Sequence, residues 1–364
     1  MVTYEVLHQD SGSAARGGLL KTAHGKVETP VFMPVGTAGA VKGTTPQQLR
    51  ETGAEIILAN AYHLLLRPGV ETVEKLGGLH KLMAWERPIL TDSGGYQVFS
   101  LSALARIDDD GVEFASQVDG SKIYLNAEIA TDIQNRLGAD IIMCFDQCAP
   151  FGVDAGQLEQ AVTRSIKWAE RCRKAHANPD QILFGIVQGG TNLELRSCCA
   201  AELVKMDFDG YAIGGLSVGE EHDEMIRTVA STAQLLPQAK PRYLLGVGTP
   251  RDIVAAVRAG VDMFDCVMPA RNGRNASAFT EKGPVRLRNS AHTNDPGPIE
   301  PGCECYCCRN FSRGTLRHFF NSNEMLGPIL VSLHNLTFYQ RLMTRIREAI
   351  KNDEFDEWSV AMDY

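Results

Sequence analysis

Short apolar runs recur along the chain at 31–35, 56–59, 88–90, 141–145, 183–187, 211–213, 243–245 and 261–264. Gly, Asp, Asn or Gln follows closely on each. Amphipathic stretches of helical period intervene at 46–52, 127–137, 158–176, 193–206, 223–236 and 251–259. Eight strands alternating with helices predict an α/β chain folded as a parallel (β/α)8 TIM barrel rather than an open sheet. Gly53, Gly138 and Gly260 mark helix C-terminal turns ahead of the next strand. The first thirty residues differ, with small antiparallel strands at 4–7, 18–22 and 26–29 that predict a lid over one barrel end. Residues 281–335 break the pattern with Gly, Pro and clustered Cys, and 335–351 has the single apolar face of a packing helix. The expected organisation is a lidded barrel over 1–280, a metal-binding insertion over 281–335 and a C-terminal helix within 336–364.

Composition is that of an ordinary globular protein, 44% hydrophobic and 22% charged. The N-terminal residues lack the basic and apolar regions of a secretory signal, and no apolar run approaches the roughly 20 residues that span a bilayer. A cytoplasmic protein with no membrane partner is expected. The net charge of −8 is unevenly spread: residues 268–288 carry Arg271, Arg274, Lys282, Arg286 and Arg288 against Glu281 alone. A basic face on an acidic body fits docking to a polyanion.

Ten cysteines in such a compartment are expected to be reduced or metal-bound. Cys303, Cys305 and Cys308, with His334 downstream, supply three thiolates and an imidazole for a closed tetrahedral Zn2+ site, structural rather than catalytic. Cys307 or His318 could substitute within that set. Metal binding would pin the 281–335 excursion to the last helix.

On a barrel, the polar residues after each run converge on the catalytic rim. They are Asn60, Asp92, Asp146, Gln188, Gly214-Gly215, Gly246 and Asp265. At 262–275 an apolar run ends on Asp265, Pro269 stops the strand, and a loop kept pliable by Gly273 presents Arg271 and Arg274. A carboxylate beside two guanidiniums suits attack on a phosphate-tethered group. Gly94 and Gly95 let backbone amides approach a ligand, and Tyr96 can stack on a flat base. Asp146 can accept the ring N–H and exocyclic amine of guanine together. The Gln188 amide and the Gly215 N–H can donate to the guanine carbonyl.

Taken together, residues 91–97, 214–220, 262–275 and the Cys303/Cys305/Cys308/His334 set resemble the tRNA-guanine transglycosylases. That bacterial queuine tRNA-ribosyltransferase family consists of zinc-containing β/α barrels, and the likeness covers nearly the whole chain. It implies that Asp265 is the nucleophile attacking the ribose C1′ of the wobble guanosine and Asp92 the acid/base. It implies base binding by Ser93, Gly94, Gly95, Tyr96, Asp146, Gln188, Gly215 and Leu216. RNA contacts fall on Gly246, Val247, Gly248, Thr249, Pro250, Arg251 and Asp252, and on Ala270, Arg271, Asn272, Gly273 and Arg274.

The resemblance further implies a homodimer with one Zn2+ per subunit, acting on the anticodon stem-loop of tRNAs with GUN anticodons. Guanine would leave and the queuosine precursor preQ1 (7-aminomethyl-7-deazaguanine) would enter through a covalent ribosyl-aspartate. Val218 and Cys148 resemble the preQ1-using pattern. Leu245 and Ala270 depart from the Met and the Thr or Ser common in relatives. Two other readings share part of the pattern: a retaining glycoside hydrolase, and a non-catalytic zinc- and RNA-binding partner subunit. The first leaves the basic segments unexplained, and the second would lack part of the carboxylate set.

Overall fold

The computed structural model describes residues 3–101 and 106–361. Three antiparallel strands open the chain: β1 (Thr3–Gln9), β2 (Arg16–Thr22) and β3 (Gly25–Thr29). The barrel follows with β4 (Val31–Met33), β5 (Val35–Gly36), β6 (Ile57–Ala59) and β7 (Ile89–Thr91). A second antiparallel sheet, β8 (Arg106–Ile107), β9 (Val112–Ala115) and β10 (Lys122–Leu125), interrupts it. The barrel resumes with β11 (Ile141–Met143), β12 (Ile182–Val187), β13 (Gly210–Ile213), β14 (Arg242–Leu244) and β15 (Met263–Asp265).

All pairings within the barrel are parallel, in the order β4-β15-β14-β13-β12-β11-β7-β6-β5. The two ends of that order, β4 and β5, are halves of one stave separated by Pro34, which has no N–H to give the ladder. The ring therefore closes as eight staves, one for each predicted run. Both faces of every stave are covered, which is why the runs read as continuous apolar stretches. Val31, Met33, Leu58, Met143 and Phe184 fill the interior, while Phe32, Ile57, Ile142 and Leu183 face the helical layer.

The N-terminal sheet covers the end of the barrel where the strands begin. Asp262, just before β15, takes Arg16 Nη2 at 2.6 Å, the Tyr4 hydroxyl at 2.9 Å and the Arg242 N–H at 2.7 Å. Nearby, Asp140 bonds His24 Nδ1 at 2.9 Å and His80 Nε2 at 3.1 Å. These buried polar ties lock the lid to the floor and leave the opposite rim open.

Three features depart from the sequence reading. The antiparallel β8–β10 sheet was not foreseen, because its strands are short and half exposed. The last helix runs Leu326–Lys351, nine residues earlier than expected. Pro328, which reads as a loop residue, lies in its first turn, where no N–H is required. The segment after Asp265 is a helix, Met268–Arg274, with Pro269 in its first turn.

Gly273 accordingly does not lend pliability. It is buried, and a Cβ there would lie 2.6 Å from the Ser332 backbone N of the long helix. The side chain of Asn335 joins the same contact, donating to the Pro269 carbonyl at 2.9 Å and the Ser277 carbonyl at 3.0 Å. Gly273→Ala should therefore destabilise the fold by about 1–3 kcal/mol through overpacking. Urea unfolding measures this, and an unchanged midpoint would show that the helices part freely.

Candidate active site

The residues expected on the rim do converge. A cavity of about 680 Å³ at the C-terminal ends of the strands is lined by Asn60, Asp92, Asp146, Gln188, Gly215 and Asp265, among others. Three carboxyl groups thus share one enclosed space, and each is met by its own donors.

Asp92 follows β7. Asn60 donates its Nδ2 to one oxygen, and the Ala61 N–H donates to the other at 2.8 Å. Asn60 also caps the helix Ala61–Leu66, its Oδ1 accepting from the His63 N–H. The amide serves as donor and acceptor at once, which a carboxylate could not do. Burial pushes the Asp92 carboxyl up to about 7, and the negative charge of Asp265 adds to the rise.

Asp265 ends β15. Its Oδ1 accepts from the Tyr243 hydroxyl at 2.6 Å and from the Gly246 N–H at 2.7 Å. Gly246 reaches this pose through a left-handed backbone, with φ of +70°. Among the described residues no donor reaches Oδ2. Burial raises the Asp265 pKa, and the Tyr243 and Gly246 hydrogen bonds pull it back. One oxygen is held fixed and the other is left with its lone pairs available.

Asp146 follows β11. Gln188 Nε2 donates to its Oδ2 at 2.6 Å, and the Ser93 hydroxyl donates to its Oδ1 at 3.1 Å. Burial pushes its carboxyl up to about 6 against those two bonds. Ser93, Gly94 and Gly95 bring the turn after β7 against this group: a Cβ on Gly95 would sit 2.6 Å from the Asp146 carbonyl oxygen. Tyr96 lines the cavity with about half of its surface exposed, and Leu216 closes another wall.

The segments assigned to RNA are only partly outward-facing. Gly246, Arg251 and Arg271 are exposed, while Thr249, Asp252, Ala270, Asn272 and Arg274 are half-buried. Val247, Gly248, Pro250 and Gly273 are buried. Gly248 gives its carbonyl to the Tyr339 hydroxyl at 2.5 Å, and Thr249 caps the helix Pro250–Arg258 with Pro250 in its first turn. These residues shape the segment from within. Arg271 and Arg274 reach the cavity mouth together with Lys42. Burial, with Arg271 nearby, holds the Arg274 guanidinium below its usual pKa, and an anion would relieve that stress.

Tyr243 lines the cavity and was passed over by the sequence reading, as was Arg196, which lies behind the cavity wall. Tyr243 occupies an inward position of β14, and its signal was a polar-tipped ring among the otherwise apolar residues of the barrel interior. Arg196 lies on the buried stripe of the helix Leu193–Lys205 with Cys199, Ala200 and Leu203. A charge at i, i+3, i+4, i+7 spacing on an apolar face was legible and informative.

Away from the cavity, Cys303, Cys305, Cys308 and His334 come together. The three sulfurs lie 3.7, 3.6 and 3.3 Å from His334 Nδ1. Ligands on one tetrahedral ion of Zn–S and Zn–N bond lengths would be spaced by about 3.6 Å, so the set fits a metal. His334 Nε2 donates to the Phe279 carbonyl at 2.8 Å, which leaves the Nδ1 lone pair facing the sulfurs. Cys307 is turned into an apolar cluster with Leu316 and Phe320, and His318 is exposed. Neither alternative ligand belongs to the site.

A family model described as queuine tRNA-ribosyltransferase matches residues 10–363. A queuine tRNA-ribosyltransferase of Caldanaerobacter subterraneus is 54% identical over 98% of this chain and 96% of the relative. One of Syntrophobacter fumaroxidans is 51% identical over 98% and 95%. One of Francisella tularensis subsp. novicida is 50% identical over 94% of each. With this coverage and a barrel rim that carries all three carboxylates, the chain belongs to the queuine tRNA-ribosyltransferase family.

Proposed function

We propose that this protein exchanges guanine at the wobble position of GUN-anticodon tRNAs for preQ1, through a covalent bond between ribose C1′ and Asp265. The observation that carries the reading is the unequal treatment of two neighbouring carboxyls. Asp265 has one oxygen bound by two donors and one oxygen open, as a nucleophile requires. Asp92, with its carboxyl at about 7, is suited to give and take a proton near neutrality.

In the first step Asp265 Oδ2 bonds C1′ as the C1′–N9 bond breaks, and the proton of Asp92 goes to the departing guanine. In the second step Asp92 takes a proton from the incoming base, whose nitrogen bonds C1′ and releases Asp265. Two displacements at one carbon return the original configuration. Asp146, with Gln188 and Gly215, reads the purine edge, and Tyr96 stacks on its face. Arg271 and Arg274 hold the phosphates. No helix of the described residues is long and apolar enough to cross a membrane. The active unit is a homodimer in the cytoplasm, with Zn2+ as the metal of the Cys303/Cys305/Cys308/His334 set. Zinc supplies structure there, because four protein ligands leave no open position.

Asp265→Asn should abolish the protein–RNA band on a denaturing gel; an undiminished band would remove Asp265 as the nucleophile. Guanine exchange by the unaltered enzyme should pass through a maximum near neutral pH, since Asp92 must be protonated for one half-reaction and ionised for the other. Asp92→Asn should cut exchange by two or more orders of magnitude, about the contribution of acid–base catalysis, and erase the neutral maximum. A retained bell would place the titration elsewhere.

Arg271→Ala should weaken tRNA binding and lower the slope of log K against log salt by about one. An unchanged slope would take Arg271 off the phosphates. Stripping the metal with a chelator should lower the melting temperature and loosen residues 303–334 to hydrogen exchange, with re-added Zn2+ restoring both. Equal protection with and without metal would contradict the structural role.

A further inference from the structure

Arg196 is fully buried, and among the described residues no carboxylate lies within ion-pair distance of it. Its Nε donates to the Gly190 carbonyl at 2.6 Å, Nη2 to the Gly214 carbonyl at 2.8 Å, and Nη1 more weakly to Val187 at 3.5 Å. Burial pulls its guanidinium down to about 10, still protonated at neutrality. A buried cation hydrogen-bonded to backbone carbonyls, with Glu220 acting on it only through its field, is an expensive way to hold a turn, and its position shows what it holds.

Val187 ends β12 just before Gln188, Gly214 follows β13 just before Gly215, and Gly190 lies in the turn after Gln188. In a trans peptide the carbonyl and the following N–H point in opposite directions. Because the Gly214 carbonyl points back to Arg196, the Gly215 N–H of the same peptide points forward, into the cavity that Gly215 lines. Among the described residues that N–H meets no protein acceptor. Gly215 has φ of +66°, and a Cβ on it would lie 2.3 Å from Gln188 Oε1, so the peptide is pressed against the side chain that bonds Asp146. The guanidinium charge also polarises the peptide it holds, strengthening the N–H as a donor.

We propose that Arg196 is a positioning residue for base recognition: by fixing the Gly214 carbonyl it aims the Gly215 N–H at the carbonyl oxygen of the purine. This rests on the reading of the cavity as a guanine-type site. Arg196 touches no substrate atom and acts through the peptide alone. Loss of its grip frees that peptide to rotate and weakens one contact while the Asp146 contact to the exocyclic amine persists.

The test uses the full chain and an unmodified tRNA, with radiolabelled guanine exchange and two competing bases. 6-Thioguanine replaces the carbonyl oxygen by a poorer acceptor. Hypoxanthine keeps the carbonyl and lacks the amine read by Asp146. The unaltered protein should prefer guanine to each by about tenfold, the worth of one well-placed hydrogen bond. Arg196→Lys keeps the charge and one donor, and Arg196→Gln keeps a donor alone. In both, KM for guanine should rise with kcat largely retained, the guanine/6-thioguanine preference should shrink towards parity, and the guanine/hypoxanthine preference should hold.

An unchanged 6-thioguanine ratio in the variants would overturn the role of Arg196 and leave the guanine reading intact. No preference for guanine in the unaltered protein would overturn the guanine reading itself. Failure of both variants to fold, seen as loss of the thermal transition, would assign Arg196 to stability and also overturn the proposal.

Discussion

Three carboxyl groups are withdrawn from bulk water at one end of a single barrel, and the rest of the rim is built around that constraint. A buried carboxylate must find donors or accept a proton. Asp92 and Asp265 line the same cavity, and the charge of Asp265 adds to the rise of the Asp92 carboxyl. The structure resolves this by unequal provision. Asp265 receives a phenol and a backbone amide on one oxygen, Asp92 receives a side-chain amide and a helix N-terminal N–H, and Asp146 is bound by Gln188 and Ser93. The donors decide which group holds a charge, and the barrel decides where the donors stand.

The opposite end of the barrel meets the same problem with a different result. Asp262 is buried among Arg16, Tyr4 and the Arg242 N–H, and Asp140 is bracketed by the stacked rings of His24 and His80. Every oxygen there is occupied by donors of the protein itself, so these carboxylates fasten the N-terminal sheet. Losing one partner of such a buried pair is far more harmful than the pair itself is helpful. The contrast between saturated acids on the floor and partly open ones on the rim separates stability from chemistry.

Between the two ends, the helix Leu326–Lys351 links the metal set to the rim. His334 faces the sulfurs, Asn335 on the next position binds the Pro269 and Ser277 carbonyls, and Ser332 lies against Gly273. The helix carrying Arg271 and Arg274 is thus seated on the element that carries His334 of the Cys3His cluster. A local disturbance at the Cys3His set has a short mechanical route to the cationic mouth of the cavity.

The eight staves, their alternation with helices and the polar residue after each were legible in the chain. Burial on both faces writes a continuous apolar run, and the end of burial writes a polar one. The Cys303/Cys305/Cys308/His334 cluster was legible from spacing, because three thiols within six positions followed by a histidine have the pattern of a metal-binding set. Tertiary structure alone decided that residues after Asp265 are helical and that Gly273 is a packing glycine. It also turned Val247, Gly248 and Pro250 inward and gave Arg196 three carbonyls for partners. Local sequence records whether a position is apolar, but not which neighbour presses on it or which way a peptide unit points. Those depend on contacts between segments far apart in the chain, as in the approach of Ser332 to Gly273 and of Arg196 to Gly214.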